Sequence, residues 1–105
     1  MRIATETIVT DAWGRPCRRD APEAGGGEFL TVGEVLLNAL LLPHADDARA
    51  SLDDKRLRHR LAVRIAAGGD VEIAAQEATR LQELVGRSPY RIDVIGEVCN
   101  QLDGR

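Results

Sequence analysis

Residues 31–42 read TVGEVLLNALLL, and Pro43 follows directly after them. Thr31 and Glu34 have the spacing of a capping box, in which the threonine hydroxyl accepts a hydrogen bond from the backbone N–H three residues later. Apolar residues then occupy nearly the whole circumference of the helix, and the proline ends the run. The stretch predicts a strongly apolar helix over 32–42, which lies at the centre of the fold or serves an interface.

Three further helices are predicted on the carboxyl-terminal side of this stretch. Ser51 caps a helix over 52–67, and Gly68-Gly69 ends it in left-handed backbone. After the extended residues 71–73, a third helix covers about 75–85. Ser88-Pro89 then precedes a fourth helix. Its predicted core residues are Ile92, Ile95, Val98, Cys99 and Leu102.

The amino-terminal side predicts a small β unit. Residues 3–10 are rich in β-branched side chains, and Asp11 to Gly14 have the composition of a turn. We therefore expect a β-hairpin over 1–18, a flexible linker over 19–28 and a helical body over 29–105. The fold class is mainly α (α+β), a compact four-helix domain with an N-terminal β-hairpin, and residues 1–105 form a single domain.

Composition limits the function classes. The chain has 105 residues, 44% hydrophobic and only 3% aromatic, with a formal net charge of -3, so we expect one aliphatic core and no general affinity for nucleic acid. The two cysteines are too few for a disulfide framework, which favours a reduced, cytoplasmic setting. We expect no signal peptide and no membrane-spanning segment.

Residues able to carry covalent or metal chemistry are sparse. His44 and His59 lack zinc-ligand spacing, and Gly25-Gly26-Gly27 lacks the Lys-Ser/Thr pair of a phosphate-binding loop. Cys17 stands beside two arginines, which favours a thiolate, whereas Cys99 is expected to be a small core residue. The sequence predicts no catalytic residue, no metal and no cofactor, so we expect a protein that is not an enzyme.

The second helix carries a basic stripe. Arg56, Arg60 and Arg64 recur every four residues, within a segment 51–69 that holds five basic and two acidic side chains. The simplest interpretation is a solvated face; an acidic protein partner comes next, and nucleic acid last. Trp13 at the predicted hairpin tip either packs back on the core, which is the favoured interpretation, or remains an exposed anchor for a partner.

The chain resembles a type of small, largely uncharacterised protein encoded in tailed-phage and prophage genomes. The resemblance rests on residues 9–11 and 14–16, on residues 31–41, and on the segments 54–56, 61–65, 71–73 and 81–86. It implies a viral origin and a place of action in the host cytoplasm or in the virion. It implies no catalytic or binding residue.

These observations together predict a non-enzymatic, phage-derived protein-binding module. The favoured task is virion assembly or an accessory role, with a viral structural protein as partner and a homo-oligomer formed through the helix at 32–42. The alternative is a small inhibitor of a host protein or nucleoprotein complex, of the anti-CRISPR or other counter-defence type. The candidate partner-binding residues are Arg56, Arg60, Arg64 and Trp13, and neither a membrane nor nucleic acid is expected as a partner.

Overall fold

The structure is a computed structural model that describes residues 1–19 and 29–103. Except for residue 19, the predicted linker at 19–28 lies outside the described residues. The described part contains two short strands, one 3₁₀ turn at Asp47–Arg49 and four α-helices. These are β1 (Arg2–Ala4), α1 (Val32–Leu41), α2 (Leu52–Ala66), β2 (Asp70–Glu72), α3 (Ala75–Gly86) and α4 (Ile92–Leu102).

Helix α1 lies at the centre of the fold, packed against both α2 and α3. The Thr31 hydroxyl accepts a hydrogen bond from the Glu34 N–H at 3.3 Å, as predicted. The Glu34 carboxylate, which a capping box directs to the Thr31 N–H, is instead bonded to the Arg19 guanidinium. Val35, Leu36 and Ala39 are completely buried, and the core around them is aliphatic. None of the three aromatic side chains is fully buried. The mainly-α fold class and the central position of this helix are confirmed.

The predicted helix boundaries hold for α2 and α3. The Ser51 hydroxyl accepts a hydrogen bond from the Asp54 N–H at 3.0 Å, and Gly68 and Gly69 follow α2 with φ of +80° and +71°. Glycine adopts this left-handed backbone, which commonly ends a helix, at little steric cost because it has no Cβ. The N-cap residue of α3, Ala74, has no side chain that can cap the helix, but the Glu77 carboxylate accepts a hydrogen bond from the Ala74 N–H at 2.9 Å.

The amino-terminal β unit differs in part from the prediction. A short hairpin does form over residues 9–17, held by the Cys17 N–H bonded to the Val9 carbonyl at 2.9 Å. Residues 2–4, however, leave this hairpin and pair antiparallel with β2, with Ile3 opposite Val71. The chain turns between residues 2–4 and the hairpin because the buried Thr5 is held by two partners. The Thr5 hydroxyl donates a hydrogen bond to the Gly69 carbonyl, and the Thr5 carbonyl accepts one from the Gly33 N–H.

Helix α4 is rotated relative to the predicted core face. Val94, Val98 and Leu102 are buried, whereas Ile95 and Cys99 are only partly buried. Ile92, predicted to be in the core, is 84% exposed. The prediction was wrong there because the 3.6-residue repeat places residue 92 roughly 160° away from residue 94 around the helix. None of the helices in the described ranges is both long and apolar enough to cross a membrane.

Candidate protein-binding surfaces

The outer face of α2 is the first candidate surface. Leu61, Ala62 and Ile65 are buried, so the opposite side of the helix faces solvent. That side, which we call the outer face of α2, consists of Leu52, Arg56, His59, Arg60 and Val63. Leu52 is 62% exposed and Val63 is 60% exposed. The face therefore combines exposed apolar groups with cations.

The three arginines of the predicted stripe do not share one environment. Arg64 donates to both carboxylate oxygens of Glu77 at 3.1 Å and to the Glu72 carbonyl at 3.0 Å. The Arg64 guanidinium is the main reason why the pKa of Glu77 is lowered. Arg64 thus ties α2 to α3. Within the described residues, no hydrogen bond or ion pair joins Arg56 or Arg60 to another side chain.

Arg58, a fourth basic residue of α2, serves the interior. Its side chain is 7% exposed, and its guanidinium donates to the carbonyl oxygens of Leu40 at 3.1 Å and Leu42 at 3.3 Å. It also donates to Asp47 at 2.7 Å, and this bond is the largest cause that lowers the pKa of Asp47 to about 2. The guanidinium therefore satisfies carbonyls that the end of α1 would otherwise leave without donors.

The role of Arg58 could have been found in the sequence. It precedes Ala62 by four residues and Ile65 by seven, so it lies on the same helix face as two core residues. An arginine at such a position needs an acceptor, because an unpaired buried charge is costly. The charge pattern alone places it only among the five basic side chains of segment 51–69.

The two histidines make different contacts. The His44 Nε2–H donates to the Ala39 carbonyl at 2.7 Å, and the His44 backbone N–H donates to Asp47 at 2.8 Å, so this residue helps to close the end of α1. His59 lies exposed on the outer face of α2. In residues 1–19 and 29–103, no three His, Cys, Asp or Glu side chains form a cluster that could hold a metal ion.

Trp13 is the centre of the second candidate surface. Its side chain is 71% exposed, so the favoured interpretation of core packing was wrong. The reason lies in the turn: Asp11 accepts hydrogen bonds from the backbone N–H groups of Trp13 and Arg15, both at 2.9 Å, which fixes residues 11–15 as a projecting loop. The Arg15 guanidinium lies 5.2 Å from the centre of the indole ring.

Cys17 is not activated by its neighbours. Burial raises the pKa of the Cys17 thiol, and the carboxylates of Asp11 and Asp93 raise it further. The expectation of a stabilised thiolate was therefore wrong. One of the two arginines that motivated it, Arg19, has its guanidinium bonded to Glu34 at 2.7 Å. Burial also raises the pKa of Cys99, as is usual for a cysteine packed against a core.

The apolar surface of α1 is mostly used inside the domain. Leu41 at 60% and Leu42 at 50% are its large exposed side chains. A cleft of about 410 Å³ lies beside this end of α1, lined by Leu42, His44, Arg87 and Tyr90 among others. The Asn38 side-chain amide donates to the Tyr90 hydroxyl at its edge. A homo-oligomer through the helix at 32–42 stays a prediction.

The structure does not bring Trp13 together with the arginines of α2. The hairpin tip contacts α4, through the Ala12 N–H bonded to Asp93 at 3.2 Å, whereas α2 packs on α1. Comparison with protein-family models, curated proteins and solved structures gave no match for this chain. The resemblance to phage-encoded proteins therefore stays a prediction.

Proposed function

We propose that this domain is a non-enzymatic, phage-derived protein-binding module, and that it docks an acidic protein partner on the outer face of α2. The favoured partner is a viral structural protein, which makes the domain a virion assembly or accessory factor. The observation that carries the proposal is the division of the arginines on α2: Arg58 and Arg64 are bonded to other elements, whereas Arg56 and Arg60 form no hydrogen bond or ion pair with any residue of 1–19 and 29–103.

Within the described residues the charge of this face is compensated only in part: Arg60 is a minor cause of the lowered pKa of Glu77, but neither Arg56 nor Arg60 forms an ion pair. Asp54, an acid in the first turn of α2, is bonded to Arg80 of α3 at 2.8 Å and 3.0 Å, so it does not offset the outer cations. Arg56 and Arg60 are exposed on this face, and Asp53 is an exposed acid in the first turn of the same helix. Complementary acids on a partner would accelerate its association and orient it.

The apolar residues of the outer face of α2 supply contact area that its charged groups alone do not provide. Leu52 and Val63 stand eleven residues apart, so they lie about three turns from each other on the same side of α2. Arg56 and His59 lie between them along the helix. A partner helix with aliphatic residues at its centre and Asp or Glu at its margins would match this arrangement.

The experiment reverses the charge of the two unpaired arginines. We compare the immobilised wild-type domain with the double variant Arg56→Glu/Arg60→Glu and with a control, Arg2→Glu/Arg49→Glu, that changes net charge equally at exposed positions elsewhere. Each is incubated with a lysate of phage-infected bacteria, and a captured protein is then purified and titrated. We expect the α2 variant to weaken binding at least tenfold and the control to leave it within about twofold.

The melting temperatures of the wild type and of Arg56→Glu/Arg60→Glu should agree closely, because both arginines are exposed and form no ion pair within the described residues. The control should melt slightly lower, because Arg2 lies opposite Glu72 and pairs with it at 3.4 Å. Equal binding by both double variants would contradict the assignment of the surface. A captured viral structural protein supports the assembly role. Stoichiometric capture of a host nuclease or surveillance complex would instead refute that role and favour the alternative, an inhibitor of host defence.

A further inference from the structure

A second surface lies where the hairpin tip meets the start of α4. The Ala12 N–H donates to Asp93 at 3.2 Å and so fixes the tip against α4. The residues that flank this bond in the sequence, Trp13 and Ile92, are 71% and 84% exposed. We call Trp13, Arg15, Arg91 and Ile92 the hairpin-tip patch. It contains the two most exposed large apolar side chains of the described residues.

The ion pairs of this patch are arranged with the acids inside and the cations outside. The side chains of Asp11 and Asp93 are only 12% and 14% exposed, whereas those of Arg15 and Arg91 are 70% and 68% exposed. Both carboxylates also accept hydrogen bonds from backbone N–H groups, Asp11 from Trp13 and Arg15, and Asp93 from Ala12 and Val94. The guanidiniums therefore keep donors directed to solvent.

We propose that the hairpin-tip patch is a docking site for an acidic peptide segment of a protein partner, with an apolar side chain seated between Trp13 and Ile92 and carboxylates on Arg15 and Arg91. Tryptophan and arginine are the residue types that most often carry binding energy at protein interfaces. Arginine also binds carboxylates through two parallel hydrogen bonds, which a short acidic segment can supply.

A peptide fits this patch better than a nucleic-acid strand. Asp11 and Asp93 lie directly behind the two guanidiniums and reduce the positive potential that a row of phosphates requires. Trp13 is the one aromatic ring of the patch, so successive bases would find no second ring to stack on, whereas Ile92 offers contact area to an aliphatic side chain.

The test uses a display library of random 12-residue peptides, selected on the immobilised full chain. Enriched peptides are synthesised with a fluorescent label and titrated by anisotropy against the wild type and its variants. We expect the enriched peptides to combine Asp or Glu with aliphatic or aromatic residues. Trp13→Ala should weaken their binding at least tenfold, and so should the double variant Arg15→Gln/Arg91→Gln.

The control is Arg56→Glu/Arg60→Glu, which should leave peptide binding within about twofold because it alters the outer face of α2 only. This control separates the two proposals, since each has its own variants and its own probe. Trp13 is the single tryptophan of the chain, so its fluorescence gives a second readout, and bound peptide should shift its emission to shorter wavelength.

Three results would overturn the proposal. The first is a selection that yields no binder or binders without acidic enrichment, and the second is full affinity in Trp13→Ala. The third is tighter binding of single-stranded oligothymidylate than of any selected peptide, which would assign the patch to nucleic acid. Far-ultraviolet circular dichroism of each variant ensures that a loss of affinity is not a loss of folding, because all four residues are exposed.

Discussion

Arg58 is the residue whose replacement tests the interior of this fold most directly. In Arg58→Met the carbonyls of Leu40 and Leu42 lose the guanidinium donor, and the Asp47 carboxylate keeps its hydrogen bond from the His44 N–H but loses its charged partner. Two bonds to carbonyls contribute about 1 kcal/mol each, and the charge-assisted bond about 2 kcal/mol. Leu42 and Asp47 are 50% and 28% exposed, so water can replace the lost donor there and recover part of the lost hydrogen-bond free energy. We expect a net loss of about 2–3 kcal/mol in the free energy of unfolding.

The measurement is urea denaturation at pH 7, followed by far-ultraviolet circular dichroism. A loss of this size is a large share of the total stability of a small domain and should lower the melting temperature by about 10–20 °C. The matched control is Arg60→Met, on the same helix two residues later. Arg60 is exposed and makes no hydrogen bond in the described structure, so its replacement should change the free energy by no more than about 0.5 kcal/mol.

Equal effects of Arg58→Met and Arg60→Met would refute the assignment of Arg58 as the group that satisfies the end of α1. A double-mutant cycle with Asp47→Asn gives an independent check. Because the two side chains are bonded at 2.7 Å, the double variant should be destabilised by less than the sum of the single variants. Simple additivity would mean that the pair does not interact in solution.

Two further predictions concern the close contact of α1 with residue 5 and the acidic side of the stability profile. Gly33→Ala places a Cβ 2.9 Å from the Thr5 carbonyl oxygen and should lower the free energy of unfolding by about 1–3 kcal/mol. Gly96→Ala, where a Cβ on α4 meets no other atom within 4 Å, should raise it by about 0.5–1 kcal/mol. Urea denaturation measures both changes. The pKa of Asp47 is lowered from 3.8 to about 2 by Arg58, so the unfolded chain takes up this proton first, and stability should fall between about pH 4 and pH 2. Asp47→Asn should flatten that part of the profile, and an unchanged slope in this variant would contradict the ion pair.

The sequence determined the helices because their signals are local. A capping side chain, a 3.6-residue repeat and a terminating glycine or proline act within a few residues of each other, as Thr31 and Ser51 show. The same locality explains the error on α4. The repeat of its apolar residues fits more than one rotation about the axis, and only the packing against α3 selects Val94 and Val98 over Ile92.

Strand pairing required contacts that the sequence does not encode locally. Residues 2–4 could pair within the hairpin or with a distant segment, and the structure joins them to residues 70–72. The choice depends on burying Ile3 beside Val71 and on placing Thr5 against both Gly33 and Gly69. These three segments meet only once α1 is in place, so no window of sequence holds the information.

For the candidate surfaces too, part of the answer follows from the sequence and part only from the tertiary structure. The order of the residues alone showed that α2 is basic and that Trp13 stands at a turn, because residue spacing and turn composition can be read from the sequence. Which arginines are bonded inside the domain was decided by tertiary structure, because Arg58 and Arg64 meet their acceptors in other elements, at the end of α1 and in β2 and α3. A charge count treats all arginines as equal, and only their distances to particular oxygens separate a residue that stabilises the fold from one that remains available to a partner.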